Sequence, residues 1–441
     1  MRLYQLTVAL TLLLATRPSP AQEPAISMDE RVLGLSQLWQ EANRSFVFKN
    51  RLNFSLDSAY RMAIGRVIAA PDTYSYYREL QRFAASLGDG HTGVSFPPAM
   101  SQTRTYPWLL TVWVDGHLVI RNTGRTLVRA FPVGTEILSI DGRSVGEYLE
   151  AEVLPFTPAS TSHWRWAYGA RDALIGRASQ SVRLTFQRPD GSHGDTTLAR
   201  DRRSRNDEWL LPSTEPRLVI HWLGDSIAHV RLTSFDSDSI LQDFQSILPA
   251  LRSARGLVLD VRGNNGGNSA NGWGILAHLT ADSIPLQEWR TRIHHAAFKG
   301  WGRPGYAQDS AFSPFESHGR YPPSADPLIL PTIILQDHET FSAAEDFLVA
   351  ASTIPHIVTM GQLSGGSTGN PIFWQLPGGG FARMVSKHDR YPDGREFVGT
   401  GVQPNRPLPA RTLAEWRSGR DFAVDSAVVT IRRMRAGARQ L

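Results

Sequence analysis

From about Arg217 onward, short apolar segments of strand length alternate with stretches of helical periodicity. Ser226–Leu232, Gly256–Val261 and Leu328–Leu335 read as strands, while Asp236–Leu251 and Ser342–Ser352 read as helices. Two of these strands are apolar without alternation, which fits burial on both faces. Such an alternation demands a mainly parallel sheet layered with helices, because a parallel pair needs a crossover between its strands. Ligands and reactive groups in such sheets sit where strands end and helices begin.

Two of those junctions carry chemistry-bearing residues. Thr340-Phe341-Ser342-Ala343-Ala344-Glu345 follows the strand Leu328–Leu335 and opens a helix. A serine there lies beside helix N-terminal N–H groups with no partner of their own, which suits an oxyanion. Ser342 is equally readable as a helix N-cap, with Glu345 closing a capping box. The second junction is Gly256-Leu257-Val258-Leu259-Asp260-Val261-Arg262-Gly263-Asn264-Asn265-Gly266-Gly267. Its glycines allow close approach of backbone N–H groups to a ligand. A phosphate loop is disfavoured, since no Lys-Ser/Thr pair follows at the required spacing.

Upstream the texture differs. Val32, Leu33, Leu35, Leu38 and Trp39 recur at helical spacing, and Ser55 and Pro71-Asp72 mark further helix starts, down to Gly88-Asp89-Gly90-His91-Thr92. From Tyr106 to Gln187 the segments Leu109–Val114, Leu118–Ile120 and Val182–Phe186 have strand character. Val133-Gly134-Thr135-Glu136-Ile137-Leu138-Ser139-Ile140-Asp141-Gly142 places a strand between two turns. That order is similar to the core hairpin of PDZ domains.

Together the two junctions resemble the tail-specific, or C-terminal-processing, serine peptidases. The ending Gly399-Thr400-Gly401-Val402-Gln403-Pro404-Asn405 is also similar to that family's pattern, with Asn405 in place of an aspartate. The resemblance implies an α/β fold: an α/β catalytic domain over residues 215–435, a PDZ-like β-rich domain over 105–200 and a small helical N-terminal domain over 28–100. It implies Ser342 as nucleophile, with an oxyanion hole from the Ala343 N–H and a glycine N–H of Gly266–Gly267. The family's lysine-base branch carries its lysine in a loop that reads Gly365-Gly366-Ser367-Thr368-Gly369 here, without one. Lys387, the only lysine after Ser342, lies in a polar stretch expected to be solvated. The tricorn-like branch instead has a histidine before the PDZ-like domain, and the matching string is Asp89-Gly90-His91-Thr92. His91 is therefore the expected base, with an apparent pKa of about 6–7. Glu396 is the expected third member. That branch has a serine before its histidine, bridging to the glutamate; Gly90 stands here, leaving Thr92, Asp89 or a water to bridge.

Composition limits the partners. The 441 residues carry a net charge of +5, spread as scattered arginines rather than a basic run, which argues against nucleic acid. There is no cysteine, hence no disulfide, thiolate or cysteine metal site. The adjacent His294 and His295 point apart, and no metal or cofactor is expected. Arg2, the apolar Leu6–Ala15 and Ser19-Pro20-Ala21 have the layout of a secretory signal over residues 1–21, too short to span a bilayer. The expected product is a periplasmic or secreted serine endopeptidase acting on unfolded or C-terminal polypeptide segments, with no membrane span after signal removal. An esterase using the same serine, or a non-catalytic binding module on the same fold, are the alternatives.

Overall fold

The computed structural model describes residues 25–178, 180–201, 207–212, 215–304 and 311–437. The signal-like residues 1–21 lie outside them. Among the described residues no helix is long and apolar enough to cross a membrane.

A six-stranded sheet runs in the order Leu218–Leu223, Ile227–Leu232, Gly256–Asp260, Thr332–Gln336, Ile357–Gly361, Arg406–Pro407. The first pair is antiparallel and the rest are parallel. Both central strands are buried at every position. The expected strand Leu328–Leu335 begins only at Thr332, because Pro331 has no N–H to give the ladder while its carbonyl accepts from Leu257. The helices Ser239–Leu251, Ser269–Ala277 and Ala343–Ala351 contribute Phe244, Ile275, Phe347 and Leu348 to the core under one face. Ala427 and Ile431 of the helix Phe422–Gly437 cover the other.

The N-terminal helices Met28–Arg44, Leu56–Ala69 and Thr73–Ser86 start at Ser27, Ser55 and Asp72, whose side chains accept from backbone N–H groups of the first turn. Their buried face does not close on itself. Leu35, Leu38, Tyr77 and Leu80 share a core with Leu376 and Ala382 of the hairpin Pro371–Gln375/Phe381–Val385. The Tyr77 hydroxyl donates to the Pro377 carbonyl at 2.7 Å and accepts from the Gly380 N–H at 2.8 Å. Gly93–Ser95, just after His91, adds to that hairpin as an antiparallel strand.

Between these parts lies a β-rich unit with its own core, including Leu118, Ile120, Phe131, Ile137, Leu149 and Leu184. Its antiparallel sheet runs Leu109–Val114, His117–Thr123, Glu136–Ile140, Ser181–Gln187, His193–Ala199. Asp141 and Gly142, at φ +50° and +80°, make the tight turn expected of Asp-Gly between Glu136–Ile140 and Arg143–Ser144. The start of the helix Ser162–Arg171 joins this unit to the segment after Ile357–Gly361, where the Thr161 hydroxyl donates to the Gly365 carbonyl at 2.9 Å and His163 Nε2 lies 2.7 Å from the Ser364 carbonyl.

Candidate active site

Ser342 stands between Thr332–Gln336 and the helix Ala343–Ala351. It caps that helix, and its backbone is held at φ +58°, ψ −126°. This region is costly for a residue with a Cβ, and it turns the side chain out at the head of the sheet. The strain is held by neighbours: the Ser342 N–H reaches the Ser367 carbonyl at 3.1 Å and Glu345 Oε2 at 3.3 Å. Glu345 is fully buried and also accepts from the N–H groups of Gly366 and Ser367 at 2.7 and 2.8 Å and from the Ser364 hydroxyl. Burial pushes its carboxyl up to about 8, against the pull of those donors.

The loop before Gly93–Ser95 brings His91 to this serine. His91 Nε2 lies 2.9 Å from Ser342 Oγ, and Nδ1 lies 2.8 Å from Ser367 Oγ. Its ring is parallel to Phe341, with centroids 4.8 Å apart, and Phe341 stacks on Trp164 of the β-rich unit at 4.0 Å. Gly90 belongs to this packing. A Cβ there would lie 2.8 and 2.9 Å from two Phe341 ring carbons and 3.2 Å from Ser367 Cβ, so the serine of the tricorn-like pattern does not fit. His91 is buried; burial first, then the nearby Arg383 and Lys387 charges, lower its pKa from the ordinary imidazole value to about 3. The expected value of about 6–7 is corrected accordingly, and the ring is neutral at physiological pH.

Glu396 is not joined to the histidine. Both ring nitrogens of His91 are engaged elsewhere, while the Glu396 carboxylate lies 2.6 Å from His388 Nε2 and 3.6 Å from Arg51. The buried carboxylate beside His91 is Asp89, which accepts from the His91 N–H at 2.9 Å. Lys387 departs from its expected solvation: it is largely buried and 2.9 Å from Asp389. Burial works to lower its pKa, but Asp389 and Asp346 outweigh this and raise it. An ammonium held that way is a poor base.

The glycine loop divides differently from the expectation as well. The Gly266 N–H is already donated to Asn264 Oδ1 at 2.8 Å, which removes Gly266 as an oxyanion donor. Asn264, fully buried, also donates to the Leu232 carbonyl at 3.0 Å and fixes the turn. Gly266 instead packs against the nucleophile turn, where a Cβ would lie 2.7 Å from Ala343 N. Among the described residues neither the Gly267 nor the Ala343 N–H has an acceptor within the chain. A serine hydroxyl against a neutral imidazole, with backbone N–H groups free nearby, is equipped for acyl transfer.

Residues 226–408 match peptidase family S41. The chain is a serine-type peptidase with an S41 domain. The described fold agrees with that of solved structures. Mature CPAF is 16% identical with a TM-score of 0.71, covering 88% of this chain and 94% of its own. For mature CPAF complexed with lactacystin the values are 16%, 0.73, 94% and 98%. A putative peptidase from Parabacteroides merdae ATCC 43184 is 16% identical with a TM-score of 0.52, over 92% of this chain and 97% of its own. At these identities the likeness is one of fold. No curated protein matches the chain in sequence.

The sequence left two features of the peptidase's site unassigned. Ser367 lies in the loop noted only for lacking a lysine, and that loop position was the available signal. The Phe341–Trp164 stack had none, since its rings are far apart along the chain.

Proposed function

We propose that this peptidase is an exported endopeptidase that opens peptide bonds in unfolded or C-terminal segments through an acyl-enzyme on Ser342. The 2.9 Å approach of His91 Nε2 to Ser342 Oγ carries the reading. Ser342 Oγ attacks the scissile carbonyl carbon while its proton passes to His91 Nε2. The oxyanion so formed is received by the N–H groups of Ala343 and Gly267. The imidazolium returns the proton to the departing amine nitrogen, leaving an ester on Ser342, and water activated by the same histidine releases the acid. The helix Ser162–Arg171 beside the edge strand Leu109–Val114 supports a PDZ-like role in presenting extended chain, by strand addition to that edge. Export rests on the signal-like N-terminal pattern.

The test is labelling by a fluorophosphonate together with hydrolysis of an unfolded polypeptide. Ser342→Ala and His91→Ala should each abolish hydrolysis to a similar degree, since residues acting as one unit are not additive. Ser342→Ala should also lose labelling. A Ser342→Ala protein that still hydrolyses the polypeptide refutes the reading, and cleavage of short acyl esters without peptides moves it to an esterase.

A further inference from the structure

We propose, building on the Ser342–His91 reading, that Ser367 and Asp89 are the positioning residues of this histidine, in the place the family pattern assigned to Glu396. The assignment follows from where each hydrogen can go. A histidine acting as base toward Ser342 must keep a lone pair on Nε2, so its proton must sit on Nδ1. The partner of Nδ1 is Ser367 Oγ at 2.8 Å. A hydroxyl both donates and accepts, so by itself it does not select that tautomer. Something must draw the Ser367 hydrogen away from the ring.

Asp89 Oδ2, 3.4 Å from Ser367 Oγ, is the group placed to do so. The surroundings of Asp89 hold it as an acceptor. Its Oδ1 takes the His91 N–H and the Thr92 hydroxyl, both at 2.9 Å, and its Oδ2 takes the Ser160 hydroxyl at 3.2 Å. Thr92 Oγ1 accepts from the Val385 N–H and Ser160 Oγ from the Gly90 N–H, which favours their hydrogens pointing to Asp89; for Thr92 the other acceptor is the weaker Met384 Sδ, at 3.7 Å against 2.9 Å to Asp89. Arg383, which donates to the Gly90 carbonyl, lies close enough to favour the carboxylate, as does Arg51. Burial is the larger influence and leaves the carboxyl above its ordinary value, so its role as acceptor rests on the hydrogen-bond donors aimed at it. Ser367 is itself fixed from behind, since Glu345 takes its N–H and its carbonyl takes that of Ser342.

The chain of direction is therefore Asp89 to Ser367 to His91 Nδ1, leaving Nε2 open to Ser342. The same carboxylate stabilises the imidazolium formed during acylation. Ser367 supplies from the 365–369 loop the hydroxyl that Gly90 has no room to carry. Glu396 lines a cleft with Asp89, Ser160 and Arg51, but its carboxylate is spent on His388.

Ring nitrogen shifts of His91 in the full chain, read by NMR, give the test with kcat and KM on an unfolded polypeptide. The wild-type ring should carry its proton on Nδ1. Ser367→Ala and Asp89→Asn should move the population toward Nε2–H and lower kcat about 10–100-fold with KM little changed, less than the roughly ten-thousandfold loss for a directly bonded carboxylate. Ser367→Thr, which keeps the hydroxyl, should restore most of the rate. If Asp89→Asn does not fold, the Ser367→Ala and Ser367→Thr pair decides alone. An Nε2–H tautomer in the wild type, wild-type kcat in Ser367→Ala, or a loss in Glu396→Gln as large as in Ser367→Ala overturns the proposal. If Ser342→Ala and His91→Ala stay active, the underlying reading fails instead.

Discussion

Replacing Gly90 by serine restores the side chain of the tricorn-like pattern, and the structure says it should damage the enzyme. The new Cβ would lie 2.8 and 2.9 Å from Phe341 and 3.2 Å from Ser367 Cβ. Carbon pairs settle at about 3.5–4.0 Å, so the Phe341 ring must retreat by roughly 0.6–1.2 Å. It has nowhere to go, because Trp164 stacks on it at 4.0 Å and its other face supports His91. Overpacking of this kind costs about 1–3 kcal/mol of stability. Displacing a catalytic group by about 1 Å costs on the order of a hundredfold in rate. Denaturant unfolding measures the first quantity, and the second-order rate of fluorophosphonate labelling measures the second. A Gly90→Ser protein with wild-type stability and labelling rate would refute the packing argument. Lost stability with an unchanged rate would show that the ring stack does not hold His91.

Two further outcomes follow from the site. Because burial and the nearby cations depress His91 to about 3, labelling should stay level as pH falls from 8 to about 5 and decline only in more acid solution, as the ring takes a proton. An unfolded histidine titrates near 6.5, so the unfolded chain binds the extra proton first; the stability from this group, complete above about 6.5, is lost toward pH 3. A labelling midpoint of about 6–7 would contradict this. Gly266→Ala, at φ +91° and with its Cβ 2.8 Å from Ser342 Cβ, should disturb the nucleophile turn and depress kcat on the order of a hundredfold, the cost of a displacement of about 1 Å, with little change in KM. Unchanged kcat in the folded variant would exclude that contact.

What was legible in the sequence was local grammar. The strand–turn–helix around Ser342 and the Asp141-Gly142 turn each depend on neighbouring residues alone; the turn stands as read, and the strand before Ser342 was overextended at its start, ahead of Pro331. The His91 position depended on resemblance, since 251 residues separate it from Ser342. Side-chain allegiance was not legible. Asn264 takes the Gly266 N–H through its rotamer, and Glu396 turns to His388 eight residues before it. Lys387 looks solvated from its polar neighbours, but its strand pairs with Glu288–Thr291 and buries it beside Asp389.

The short strand Gly93–Ser95 has a consequence for when the molecule becomes dangerous. Among the described residues its strand partner is Phe381–Val385, and Arg383 clasps the Gly90 carbonyl across 293 positions. Contacts so distant in sequence are closed late, after the loop between them has been ordered. Ser342 is synthesised before that hairpin and His91 long before both, so the strand that pairs beside the histidine is the last of these parts to be made, and the site is assembled only after residue 385 has emerged.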